Sequence, residues 1–183
     1  VAAFTLGSNS LTGRGLPERV RGARVTADFF SVLKATPFLG RTFRPDEDAP
    51  GSTPTVVVSQ SFWRSHLDSD PRAVGRSVTL DGKAHIVIGI MPIGFHFPRR
   101  DRNDVWTIMT IATPSSRPPY YLMAFGRLKP GVSASQAQAE LTAIASQVTE
   151  QFPGSHYEVA SIVPLKDYVL GKNVRLPLLV LSG

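Results

Sequence analysis

At 183 residues, with 42% hydrophobic and 19% charged residues, the chain is long enough for one large domain or two small intertwined ones and too apolar to be disordered. Lys and Arg outnumber Asp and Glu by 20 to 14, leaving a net charge of +6, a balance that raises acidic partners such as nucleic acid or anionic lipid. There is no cysteine, which excludes a disulfide framework, a zinc–thiolate centre and a cysteine nucleophile.

The positive charge is dispersed. Its densest groups are Arg14, Arg19, Arg21 and Arg24, then Arg99, Arg100 and Arg102. No aromatic platform is interleaved with them, as single-strand binding would want, so they read as solvated strand and loop charge and no nucleic-acid partner is expected. No basic stretch leads into an apolar signal core, and no run reaches the roughly 18 apolar residues of a membrane span. The start at Val1 and the apolar run Leu176–Leu181 at the other end read as an excised segment. That run is either a terminal strand or the first turns of a span.

Taken in chain order, Val1–Leu11 and Arg19–Ala27 are candidate strands separated by the breakers Gly13, Gly15 and Pro17. Asp28 can cap a short helix, 29–33, whose Phe29, Val32 and Leu33 would share a face. Thr36-Pro37 and Gly40 close that unit, and a loop with Pro45, Asp46, Glu47, Asp48 and Pro50 follows. The β-branched run Thr55–Val58 predicts a strand buried on both faces. Ser59 then caps a helix carrying Phe62, Trp63 and Leu67, and Asp68-Ser69-Asp70-Pro71 is a turn. The clearest local signal is Asp81-Gly82 between Ser77–Leu80 and Ala84–Ile90. This dipeptide tolerates the positive φ angles of a type I′ hairpin turn.

Val105–Ile111 and Tyr121–Leu128 are further strands. Ser133 and Gln136 form a capping box for a helix to about Gln151, with Ala137, Leu141, Ile144, Ala145 and Val148 in one stripe. Pro153-Gly154 stops it, and Tyr157–Pro164 is a last strand. The tail is a strand–helix–strand unit and the head a shorter version of it, so residues from about 54 to 117 read as an insertion between two halves.

Chemistry-bearing motifs are sparse. Neither a P-loop nor G-x-G-x-x-G occurs, and there is no G-x-S-x-G elbow. His66, Asp68 and Asp70 alternate near a turn and could ligate a metal, but they read better as a helix end followed by turn chemistry. Asp46-Glu47-Asp48 reads as a solvated loop and His85 as a surface residue. No catalytic, cofactor or metal residue is assigned. Phe95 and Phe97 sit in a loop, and with Trp63 and Phe38 they are candidates for contact with a second protomer or a partner protein, since aromatics concentrate at interfaces. The alternative for Phe95 and Phe97 is a plug on a local core.

Four stretches, in order, carry a family resemblance. They are Val25-Thr26-Ala27-Asp28-Phe29-Phe30 with Pro37-Phe38-Leu39-Gly40-Arg41; Val57-Val58-Ser59-Gln60-Ser61-Phe62-Trp63; Asp70-Pro71-Arg72-Ala73-Val74-Gly75 running through Gly89-Ile90-Met91-Pro92 to Phe95-His96-Phe97-Pro98; and Arg127-Leu128-Lys129-Pro130-Gly131 with Gln136-Ala137-Gln138-Ala139-Glu140-Leu141. Together they resemble the periplasmic core domain of MacB/FtsX-like ABC transporter permeases, in particular the acidobacterial type.

The resemblance implies an α+β, two-lobed fold. A porter-like β-α-β lobe would comprise 1–53 and 118–170, an inserted mixed α/β, sabre-like lobe 54–117, and a tail, 171–183, would lead to a truncated transmembrane helix. It implies a non-catalytic domain on the periplasmic side of an inner-membrane permease dimer. A cytoplasmic ATPase subunit would drive the dimer through its spans, and the domain would act on substrate export or on a periplasmic partner protein. No cofactor follows from it. Residue patterns alone leave open a free-standing periplasmic ligand-binding protein, a hydrolase with an unrecognised site, and a nucleic-acid binder.

Overall fold

The computed structural model describes residues 1–13, 15–98, 102–110, 122–151, 161–170 and 178–181. Two long strands open the chain, β1 (Ala2–Thr12) and β2 (Glu18–Val25), paired antiparallel from Phe4 opposite Val25 to Leu11 opposite Glu18. A short helix follows, α1 (Phe29–Leu33), with Phe29 and Phe30 buried. The face differs from the one expected because five residues make barely a turn and a half, too few for the 3.6-residue period to select a stripe. Asp28 does not cap α1 with its side chain. Its backbone is already helical, whereas a capping carboxylate works from an extended one. Ser31 Oγ donates instead to the Asp28 carbonyl, at 2.9 Å.

Next come β3 (Leu39–Gly40), β4 (Thr55–Ser59), the helix α2 (Gln60–His66), a 3-10 turn at Pro71–Ala73, and the strands β5 (Ser77–Leu80), β6 (Lys83–Met91) and β7 (Val105–Ile108). All five residues of β4 are buried, as its β-branched run predicts. Ser59 caps α2 by accepting from Phe62 N at 3.1 Å. Asp81 and Gly82 turn β5 into β6 with φ angles of 51° and 75°, and the Asp81 carboxylate also accepts from Ser10 N at 2.7 Å.

The pairings close on themselves. β2 runs parallel to β7, β7 antiparallel to β4, β4 parallel to β6, β6 antiparallel to β5, and β5 antiparallel to β1. With β1 paired to β2, six strands form a hydrogen-bonded ring around a core that includes Val56, Val58, Phe62, Leu80, Val87 and Ile90. Closure leaves few unpaired edges to template aggregation. β3 lies across β6, where Phe38 N donates to Ile90 O and Arg41 N to Ile88 O. This crossing needs Gly89, because a Cβ there would collide with the Arg41 carbonyl.

The remaining described elements are β8 (Met123–Arg127), α3 (Ala134–Gln151), β9 (Ile162–Pro164), α4 (Leu165–Leu170) and β10 (Leu178–Leu181). The capping box of α3 forms as expected: Ser133 N donates to Gln136 Oε1 at 2.8 Å and Gln136 N to Ser133 Oγ at 3.2 Å. β10 runs parallel to both β8 and β9 and lies between them. Leu178–Leu181 is a strand in the structure, the first of the two alternatives that its sequence allows, and pairing on both sides takes up its backbone groups. Residues 152–160, which hold the expected start of the last strand, and residues 111–121 lie outside the described set. Among the described residues no helix is long and apolar enough to cross a membrane.

The chain divides into two compact units, 2–111 and 112–183 with Val1. The division expected from sequence runs differently, joining 1–53 to 118–170 around 54–117. In the structure β2 lies beside β7 and β1 beside β5, so the N-terminal hairpin shares its ring with the middle strands.

Candidate functional site

The four aromatic residues singled out from sequence fall into two settings. Phe97 stacks on Phe29 at 5.6 Å and meets Phe4 edge-on at 5.5 Å. Phe95 packs 5.4 Å from Trp106 and 5.7 Å from Phe30. The loop carrying both is pinned by Trp106, whose Nε1–H donates to the Phe97 carbonyl at 2.9 Å. These rings fill one aromatic cluster of the 2–111 unit. Offset and edge-on pairs of this kind add about 0.5–1.5 kcal/mol each to the burial itself.

Phe38 and Trp63 form a separate pair, 6.0 Å apart, at the surface. Phe38 is 57% exposed. Trp63 is half-buried and donates from Nε1 to the Asp70 carbonyl at 2.8 Å, which fixes its indole. The pair is thus held by β3 on one side and by α2 on the other. A rigid, partly exposed aromatic pair suits a contact surface.

A cavity of about 250 Å³ opens at one end of the strand ring. β4 and β6 begin there, with Thr55, Lys83 and His85, while β2 and β7 end there, with Arg24, Ile108 and Thr110. The 47–54 loop supplies Glu47 and Ser52 to the wall. Ring mouths of this sort are common ligand sites.

The electrostatics of the cavity are asymmetric. Among the described residues Glu47 is its one acidic lining residue, and its carboxylate is already engaged. Arg41 donates to both of its oxygens at 2.8 Å, and Arg44 N adds a third bond at 2.8 Å. The Arg41 hydrogen bonds hold the Glu47 carboxyl below its usual range, against the opposing effect of burial. Arg24 and Lys83 make no ion pair among the described residues. Burial pushes the His85 imidazole below its ordinary value, opposed by a 2.8 Å contact between Nδ1 and the Lys83 carbonyl. As a carbonyl only accepts, Nδ1 carries the hydrogen there. Thr55 is 4% exposed, and its Oγ1 has no hydrogen-bond partner among the described residues.

Sequence reasoning missed this cavity. His85, expected at the surface, is half-buried, because the loop ending at Pro54 packs over the start of β6: Ile86 N donates to the Pro54 carbonyl at 2.9 Å. Glu47, expected to be solvated, is locked to Arg41. Opposite charges six positions apart were the available signal, too weak without knowing that the intervening chain turns back. His66 contacts Glu18 Oε2 at 2.9 Å, and Asp70 caps the 3-10 turn by accepting from Arg72 N at 2.8 Å. Among the described residues no group of three His, Asp or Glu is placed to hold a metal ion.

This mixed α/β fold resembles solved domains of transporter and permease proteins. One is the periplasmic region of MacB from Actinobacillus actinomycetemcomitans, with a TM-score of 0.59 and 16% identity over 81% of this chain and 67% of that one. Another is a domain of a Porphyromonas gingivalis protein assigned as a permease, with a TM-score of 0.56 and 16% identity over 86% and 69%. The extracellular domain of the noncanonic ABC-type transporter YknZ from Gram-positive bacteria gives a TM-score of 0.47 and 16% identity, and the chain spans 52% of its length. The sequence itself matches the MacB-like periplasmic core domain over residues 1–144, and the chain belongs to that family. It is a periplasmic-type domain of MacB-like ABC transporter permeases. No curated protein matches the sequence.

Proposed function

We propose that this chain is the non-catalytic extracytoplasmic domain through which an inner-membrane ABC permease passes ATPase-driven motion to an exported substrate or to a partner protein. The observation that carries the reading is the family match over residues 1–144. The structure supplies a physical basis. A ring of six hydrogen-bonded strands around one core moves as a rigid body, because changing its shape would break several ladders at once. The exposed Phe38–Trp63 pair is a surface through which such a body would press on a periplasmic partner or the second protomer. Phe95 and Phe97 would support that role from within, by fixing the body that carries the pair.

In this reading 1–53 with 118–170 are the porter-like segments and 54–117 the sabre-like segment, and the cytoplasmic ATPase subunit and permease dimer act through spans of the parent protein. The test is a distance measurement in the reconstituted parent permease with its ATPase. A spin label at exposed Arg64, introduced as Arg64→Cys in both protomers, should show different inter-protomer distances with ATP and with ADP. Identical distributions in both nucleotide states would contradict motion transmission.

A further inference from the structure

We propose that Asp81 is a modification site, where the chain isomerises to isoaspartate, and that hydrogen bonds from β1 set the rate. The proposal rests on the 2–111 unit alone and is independent of the export reading above.

The first observation is the dipeptide itself. Asp81-Gly82 is the one place in the sequence where Asp or Asn precedes Gly. With no Cβ, glycine leaves its backbone nitrogen open to attack on the preceding side chain. Both residues are exposed, and a Cβ built on Gly82 would meet nothing within 4 Å, so water has free access to the turn. The φ angles of 51° and 75° are those that select Asp-Gly for a type I′ turn. The dipeptide that makes the hairpin is thus also prone to rearrange.

The rearrangement needs no partner but water. The Gly82 nitrogen attacks Cγ of the protonated Asp81 carboxyl group. The N–Cγ bond forms, the Cγ–OH bond breaks, and the nitrogen's proton leaves with the hydroxyl as water. Water then opens the cyclic imide at the Asp81 main-chain carbonyl, its hydroxyl going to that carbon and its proton to nitrogen. The backbone now runs through Cβ, one carbon longer, and the carboxylate sits on Cα.

The second observation is what holds Cγ in the folded chain. Ser10 N donates to Asp81 Oδ1 and Asn9 Nδ2 to Oδ2, each at 2.7 Å. Both carboxylate oxygens are thereby tied to β1, and attack waits until these bonds open. Both bonds are exposed, so they open locally, without unfolding the core.

The third is position. Ser10 and Asp81 continue the β1–β5 pairing, which runs from Thr12 opposite Thr79 to Leu11 opposite Leu80, and Asp81 N donates to Ser10 O at 2.9 Å. Isomerisation converts the bonded carboxyl into a peptide carbonyl and lengthens the turn. The product loses both carboxylate bonds, and the strand ring is weakened at this seam.

The experiment is prolonged incubation of the chain at neutral pH, in buffer and in concentrated urea, followed by trypsin digestion and mass spectrometry. Cleavage after Arg76 and Lys83 releases Ser77–Lys83. Its isoaspartyl form has the same mass, elutes separately and is distinguished by backbone fragmentation. Isoaspartate should accumulate in urea and more slowly in buffer. Asn9→Ala removes one of the two carboxylate bonds and should raise the rate in buffer about fivefold, the equilibrium weight of one hydrogen bond. In urea, where the bonds are absent, Asn9→Ala should leave the rate unchanged. The parent chain's own ratio between buffer and urea tests the protection independently of any variant. Equal rates in buffer and urea, an Asn9→Ala rate in buffer no higher than the parent's, or no isoaspartate at Asp81 in either condition would overturn the proposal.

Discussion

Thr55→Val exchanges a buried hydroxyl for a methyl group of nearly the same size, and it should stabilise the 2–111 unit. Thr55 Oγ1 has no hydrogen-bond partner among the described residues, so the folded state bears the desolvation cost of that group without compensation. Such a cost is about 1–3 kcal/mol, and the variant should recover most of it. For a chain of this size each kcal/mol corresponds to about 2–4 °C in Tm. Both tryptophans, Trp63 and Trp106, lie within 2–111, so fluorescence follows this unit alone. In urea the midpoint should rise with an unchanged m-value, which separates a stability change from an altered denatured state. Thr55→Ser keeps the hydroxyl and loses the methyl, so it should lose about 0.8 kcal/mol. A midpoint for Thr55→Val that is unchanged or lower than that of the parent chain would refute the reasoning, because the hydroxyl would then be satisfied.

Other expectations follow from the same geometry. Gly89→Ala puts a methyl against the Arg41 carbonyl at the β3–β6 crossing and should cost about 1–3 kcal/mol in urea. Because His85 titrates below its ordinary value, the unfolded chain binds its proton first on acidification. Stability should thus be fullest above the ordinary imidazole value and fall as pH drops below it, and His85→Gln should flatten that slope. Glu47, held below its usual value by Arg41, adds stability that is present above the ordinary carboxylate range and lost as pH falls through its folded value. Glu47→Gln should remove that acid-side component and make the 47–54 loop easier to cleave in limited proteolysis. Phe38→Ser changes a mainly exposed ring, so the stability of the chain should shift by no more than about 0.5 kcal/mol, whereas partner or protomer crosslinking in the parent permease should fall.

Local chemistry in the sequence was enough to place the hairpin at Asp81-Gly82, the Ser59 cap, the buried strand at Thr55–Val58 and the Ser133–Gln136 capping box. Each depends on residues within a few positions of one another. What the sequence hid is non-local. The parallel pairing of β2 with β7 joins residues some eighty positions apart, and nothing in Arg21-Gly22-Ala23 marks Val105-Trp106 as its neighbour. The cavity was hidden for the same reason, since its wall comes from four strand ends and one loop. Phe95 and Phe97 were legible as rings that need a place, and the structure supplies that place in Phe4, Phe29, Phe30 and Trp106. Asp28 was misread because cap propensity is silent on backbone angles; its φ and ψ of −74° and −2° are already helical.

The central claim is that this domain works outside the inner membrane as part of a permease, and side-specific labelling of the full-length parent tests it most directly. The chain has no cysteine, so Arg64→Cys on exposed α2 gives a unique target once cysteines elsewhere in the parent are removed. The account predicts that a membrane-impermeant maleimide labels this position in intact cells whose outer membrane, where present, has been permeabilised. Labelling that appears only after the inner membrane is lysed would contradict it.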